Sequence, residues 1–123
     1  MDVEKVAHDL VDAAVQVHRA LGPGLLESTY EDCICCELEL RGISFERQKP
    51  LPLTYKGRKI NSKYRMDLVV AGKVVIELKC VETIAPVHEA QLLTYLRLSK
   101  LRVGLILNFY VPVMRYGIRR FVL

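Results

Sequence analysis

Asp67, Glu77 and Lys79 are the residues of this chain most able to do chemistry together. Residues 63–71 and 73–80 both read as strands, and Gly72 between them marks a hairpin. Strand alternation puts Glu77 and Lys79 on one face, with Ile76, Leu78 and Cys80 on the other. Asp67 alternates with Met66 and Leu68, so the hairpin brings its carboxylate beside Glu77 and Lys79. Two carboxylates at the middle of a sheet repel each other and resist burial. A divalent cation offsets that repulsion, and Mg²⁺ favours one or two carboxylates plus waters and phosphate oxygens. Oxygen ligands accept Mn²⁺ as well. The amine of Lys79 then orients a water or stabilises charge developing on a phosphate. The competing reading is a structural Lys79–Asp67 cross-strand pair, with Glu77 solvated on an open face. A pattern this short recurs by chance, so the decision falls to the rest of the chain.

A second group lies on the segment opened by Pro86, which reads as a helix to Ser99. His88, Gln91 and Tyr95 recur there at i, i+3 and i+7, a polar stripe beside Leu92, Leu93 and Leu96. The stripe either crosses the face bearing Glu77 and Lys79 or is an ordinary solvated helix side. Glu27 falls in the first turn of a helix over residues 25–41, as a further metal carboxylate or as a partner of the helix dipole. Cys33 and Cys36 form a C-x-x-C, but inside a helical pattern and without a second pair. With Cys35 and Cys80 they read as reduced, packed or half-exposed thiols.

The elements that must position these groups are legible as patterns. Val3, Val6, Leu10, Ala13, Ala14, Val17 and Leu21 recur with helical spacing, and Gly22-Pro23-Gly24 ends that helix. The second helix stops at Gly42. Residues 43–48 and 51–55 are short extended runs broken by Pro50 and Pro52, and Lys56-Gly57 is a turn candidate. Residues 103–109 and 117–123 are closing strands. Two helices, a group of strands, a third helix and two more strands make one mixed α/β domain over residues 1–123, with helices covering a central sheet. The segment 105–113 is apolar and reads as a core strand or a self-association surface.

Composition agrees with a folded, water-soluble chain. Of 123 residues, 51% are hydrophobic and 26% charged, outside the range of disordered or collagen-like sequences. Lys73 and Glu77 interrupt the longest apolar stretch well short of the ~18 residues of a membrane span. The N-terminus lacks a signal-peptide core, which predicts a cytoplasmic protein without membrane partners. The net charge of +4 hides an asymmetry. Residues 1–46 hold ten acids against three bases, a balance of −7, whereas residues 47–123 hold fifteen bases against four acids, a balance of +11. A basic half of that size predicts a polyanionic partner.

Several motifs together resemble a known family. Gly24-Leu25-Leu26-Glu27-Ser28-Thr29-Tyr30 is similar to the signature of the GxxExxY proteins, a branch of the PD-(D/E)XK nuclease superfamily. The likeness runs from residue 11 to 122. It takes in Leu21-Gly22-Pro23-Gly24, Tyr64-Arg65-Met66-Asp67-Leu68, Ile76-Glu77-Leu78-Lys79, the stretch from His88 to Leu96, Leu107-Asn108-Phe109 and Gly117-Ile118-Arg119-Arg120. The resemblance implies a restriction-endonuclease-like core, a central mixed β-sheet flanked by helices. By position it implies Asp67 and Glu77 as metal ligands, Lys79 as the catalytic lysine and Glu27 as the carboxylate from the helix before the sheet. Gln91 and Tyr95 match a Q-x-x-x-Y element that positions substrate. His88 belongs to the pattern without an assigned role, and Met66 stands where the superfamily's name has proline.

The expected activity is hydrolysis of DNA phosphodiesters with Mg²⁺ or Mn²⁺. Arg58, Lys63, Arg65, Arg119 and Arg120 are the expected phosphate contacts, although each alone also reads as a solvated charge. The alternative function is a non-catalytic nucleic-acid-binding or assembly module that retains the fold. A homodimer is expected, since pairing supplies a second site for the second strand.

Overall fold

The computed structural model describes residues 1–123. Two helices come first, α1 (Val3–Leu21) and α2 (Glu27–Leu40). Strands β1 (Phe45–Pro50), β2 (Leu53–Tyr55), β3 (Arg58–Ile60), β4 (Arg65–Val70) and β5 (Val74–Lys79) follow. Helix α3 (Pro86–Ser99), β6 (Val103–Asn108), a short 3₁₀ turn (Met114–Gly117) and β7 (Ile118–Val122) complete the chain. Asp2 starts α1 by accepting a hydrogen bond from Lys5 N–H at 2.8 Å.

Five strands form one sheet in the order β1-β4-β5-β6-β7, and β2 pairs only with β3. The β5–β6 pair is parallel, joined through α3, and the other pairs are antiparallel. This is the mixed sheet flanked by helices that the sequence predicts. Side-chain alternation divides the core between the two faces. Helices α1 and α2 lay Val6, Leu10, Ile34 and Leu38 on Leu68, Ile76, Leu78 and Leu105. Helix α3 lays Leu92, Tyr95 and Leu96 on Val69, Val75 and Ile106. A Cβ on Gly104 of β6 would sit 2.9 Å from Leu92 Cδ1, so the glycine lets α3 lie close against the sheet.

Three local expectations change. Lys56-Gly57 does turn the chain, but its far side is a strand, Arg58–Ile60, whose exposed, basic residues carry no apolar period. Met66 does not share a core with Leu68; it packs on the α3 side, because the regular alternation of β4 breaks at Asp67. The segment 105–113 divides: Leu105 to Phe109 are buried core, whereas Tyr110 and Val113 beyond them are about half exposed. No helix is long and apolar enough to cross a membrane.

Candidate active site

The β4–β5 hairpin is paired at one end and open at the other. Its ladder joins Val70 to Val74, Val69 to Val75 and Leu68 to Ile76, then stops. Beyond that point two carboxylates take over backbone donors. Leu78 N–H donates to Asp67 Oδ2 at 2.9 Å, and Asp67 N–H donates to Glu77 Oε1 at 3.4 Å. Buried N–H groups must find acceptors, and here side chains replace the missing ladder.

The other neighbour of β4 is distorted at the same level. Strand β1 pairs with β4 from Phe45↔Val70 to Arg47↔Leu68 and again at Lys49↔Met66, skipping Gln48 opposite Asp67. Gln48 has φ +48°, a left-handed conformation uncommon for a residue with a side chain. Its Nε2 donates to Glu31 Oε1 at 2.6 Å and to Asp67 Oδ1 at 3.3 Å. Glu31 is buried and also accepts from Arg47 Nη2 at 2.8 Å, and Arg47 reaches on to Asp32. A chain of polar contacts therefore runs from α2 through Gln48 to Asp67. Glu31, Arg47 and Gln48 were not among the predicted site residues. The spacing of Glu31 from Glu27, i to i+4 on one helix face, was the available signal.

Glu77 is 5% exposed. Burial foremost, and then the charge of Asp67, push its carboxyl up to about 9, against the pull of Lys79. Glu27 stands at the first position of α2, where solvent reaches it. Partial desolvation and then Asp67 raise its carboxyl above the usual range, with Lys79 opposing. The expected three carboxylates thus divide into a close pair, Asp67 and Glu77, and a Glu27 that is not bonded to them but feels the charge of Asp67. No three acidic, histidine or cysteine side chains gather into a ready-made cluster. Two carboxylates suffice for a hard cation that keeps most of its water, so the donor set fits Mg²⁺ or Mn²⁺. A bound cation would take the place of the proton that this burial holds on Glu77.

Neighbouring contacts fix the elements that carry these groups. Tyr30 O–H donates to Gly22 O at 2.5 Å and accepts from Leu25 N–H at 3.2 Å, while its ring stacks on Phe109 at 4.4 Å. The tyrosine of the Gly-Glu-Tyr motif thereby anchors the loop that delivers Glu27. Asn108 clamps the chain just after Lys79, donating to Val81 O at 2.8 Å and accepting from Val81 N–H at 3.1 Å. Its neighbour Phe109 donates its N–H to Lys79 O at 3.0 Å.

On the opposite side Gln91 Nε2 donates to Tyr95 Oη at 2.7 Å. Tyr95 is buried, and burial first, then Glu77, raise its phenol pKa. The Gln91–Tyr95 pair therefore lies within the field of the carboxylates. His88 has a structural place, since its Nδ1 accepts from Ala85 N–H at 3.1 Å and caps the start of α3.

The predicted basic residues do not form one patch. Arg58 of β3, Lys63 after it and Arg65 at the start of β4 are exposed and make no ion pair; Arg65 Nη1 donates to Gln48 O at 3.4 Å. Arg119 and Arg120 lie on β7 at the far edge of the sheet, on opposite faces. Arg119 pairs with Glu89 of α3 at 2.6 Å and Arg120 with Glu4 of α1 at 2.5 Å. Alternation on the strand separates two cations that are adjacent in sequence.

Neither the search of curated proteins nor that of solved structures returns a match. A family profile described as the PD-(D/E)XK nuclease superfamily matches residues 4–121, a span that holds both carboxylates of the open hairpin, Lys79 and the Gln91–Tyr95 pair. The chain belongs to the PD-(D/E)XK nuclease superfamily.

Proposed function

We propose that this protein hydrolyses phosphodiester bonds in DNA with Mg²⁺ or Mn²⁺, using the open end of the β4–β5 hairpin. The observation that carries the reading is the close pair of Asp67 and Glu77 beside Lys79, with neither carboxylate neutralised by an ion pair. Asp67 and Glu77 would hold the cation, and Glu27 would act from further out through water. When bound, the cation supplies Lewis acidity and neutralises charge on the phosphate. Lys79 orients the attacking water or stabilises the charge that builds on the phosphoryl oxygens. The water oxygen bonds to phosphorus as one P–O bond breaks. The proton lost by water, and the one gained by the leaving oxygen, exchange with solvent. Gln91 and Tyr95 position the strand, and Arg58, Lys63 and Arg65 contact its phosphates.

The test is cleavage of single-stranded and duplex DNA with Mg²⁺, with Mn²⁺ and with chelator. Cleavage is expected only with metal, and Lys79→Ala should abolish it while the circular dichroism stays native. A fully active Lys79→Ala overturns the mechanism. DNA binding that ignores Mg²⁺ and survives Glu77→Ala would instead mark a non-catalytic module.

A further inference from the structure

The Gln91–Tyr95 pair borders a second feature. Besides lying in the field of the carboxylates, both residues line an open groove of about 530 Å³ between α3 and the β2–β3 hairpin. The rest of its wall is Leu53, Tyr64, Val87, Ala90, Thr94 and Leu98. This is a volume typical of ligand sites. Tyr64 is 55% exposed and Val87 67% exposed, so apolar and aromatic surface faces water beside a charged site. The Tyr64 ring lies 6.4 Å from that of Tyr95, tilted by 60°.

The segment from Leu53 to Tyr64, whose two ends line this groove, supplies the complementary half. Residues 50–66 contain Lys56, Arg58, Lys59, Lys63 and Arg65 and no acid. None of the five is in an ion pair, in contrast to Arg119 and Arg120. Arg65 reaches toward Gln48, on the carboxylate side, whereas Tyr64 beside it in sequence lines the groove. An apolar ligand would leave the cations of this segment unused, and a fully paired duplex would offer them phosphates but nothing to the aromatic wall. A strand with an unstacked base satisfies both, the base on the wall and the phosphates on the hairpin's cations.

We propose that this groove holds one unpaired nucleobase of the strand at the carboxylate pair, against Tyr64, so that the protein engages single-stranded or frayed DNA in preference to intact duplex. The proposal rests on the nuclease reading and narrows its substrate.

Fluorescence anisotropy in chelator, with a labelled 12-mer as single strand and as blunt duplex, tests it without cleavage. Wild type should bind the single strand about tenfold more tightly than the duplex, the scale of one base–aromatic stack. Tyr64→Ala should lose about that factor on the single strand and little on the duplex, while Tyr64→Phe retains it. A single strand made wholly of abasic sites should bind wild type and Tyr64→Ala alike, which also shows that the variant is folded. Equal affinity of wild type and Tyr64→Ala for the intact single strand, or equal losses on both DNA forms, overturns the base site. If that happens while Lys79→Ala still abolishes cleavage, the nuclease reading stands alone. If wild type binds and cleaves neither DNA, both fall.

Discussion

The two ends of the β4–β5 hairpin solve one problem in opposite ways. At the turn end, Leu68, Val69, Val70, Val74, Val75 and Ile76 are all 2% exposed or less, and the backbone ladder is complete. Ala71 and Gly72 close that end with φ of +54° and +64°, the left-handed pair that suits a twisted hairpin. At the open end the ladder is missing and carboxylates accept the backbone N–H groups instead. Both ends account for their polar groups, but only the second does so with charge that a ligand can use. The paired end holds the strands in register, and the open end places two acids where repulsion works against folding. On the proposed function, stability and chemistry are concentrated in different halves of one hairpin.

If that division holds, substitutions in the two halves should fail in different assays. The largest effect belongs to the open end. Lys79→Ala should lower metal-dependent cleavage by about 10²–10³-fold or more, the scale of removing one group that stabilises transition-state charge. Its melting temperature should stay within a few degrees of wild type, because Lys79 makes no side-chain hydrogen bond and the backbone contact from Phe109 remains. Ile76→Ala is the counterpart at the paired end. It removes a fully buried side chain beneath α1 and α2 and should cost about 3 kcal/mol, or about 10 °C in melting temperature. Its cleavage rate, measured well below that melting point, should remain close to wild type. Loss of both properties in both variants would show that the ends are not separable.

The sequence carries the two ends unequally. Helix α1, the hairpin around Gly72 and the start of α3 at Pro86 are written in local periodicity and turn chemistry, and they stand where those signals put them. Asp67, Glu77 and Lys79 share the hairpin for the same reason. What local pattern does not carry is pairing that fails. Nothing around Gln48 marks it as a left-handed residue in a strand, and apart from its i, i+4 spacing from Glu27 nothing singles out Glu31. Its burial depends on Arg47 and Gln48, sixteen and seventeen residues on. Arg120 reads as a free cation because its partner, Glu4, is 116 residues away. Strand β3 is exposed and carries two bases, so no apolar period announces Arg58–Ile60, and the groove between the β2–β3 hairpin and α3 appears only in three dimensions.

A third test sharpens the electrostatic side of the comparison. The folded protein holds the Glu77 proton up to about 9, whereas an ordinary glutamate releases it near 4.5. Between those values the folded state binds more protons than the unfolded, so stability in chelator falls as pH rises through this window. Glu77→Gln removes the titration and can keep the acceptor for Asp67 N–H. It should melt above wild type at pH 8 by about 5 °C and differ little at pH 5. Added Mg²⁺ should raise the melting temperature of wild type but not of the variant. Equal melting at pH 8 would mean that Glu77 is ionised without strain and that the open end carries no electrostatic penalty.

The smallest effect separates strain from contact at Gln48. Its φ of +48° costs about 1 kcal/mol for a residue with a Cβ, while its side chain joins Glu31 to Asp67. Gln48→Ala keeps the strain and loses the contacts; Gln48→Gly loses both. Glycine normally weakens a strand relative to alanine, yet here the glycine variant should be the more stable of the two by about 1 kcal/mol. Both should need about tenfold more Mg²⁺ for half-maximal cleavage, because Gln48 acts through Asp67 as a positioning residue. The reverse stability order would show that position 48 relaxes to an extended strand once the glutamine is gone. In that case the Glu31–Gln48–Asp67 contacts, and not the backbone of β1, would be what holds the hairpin open.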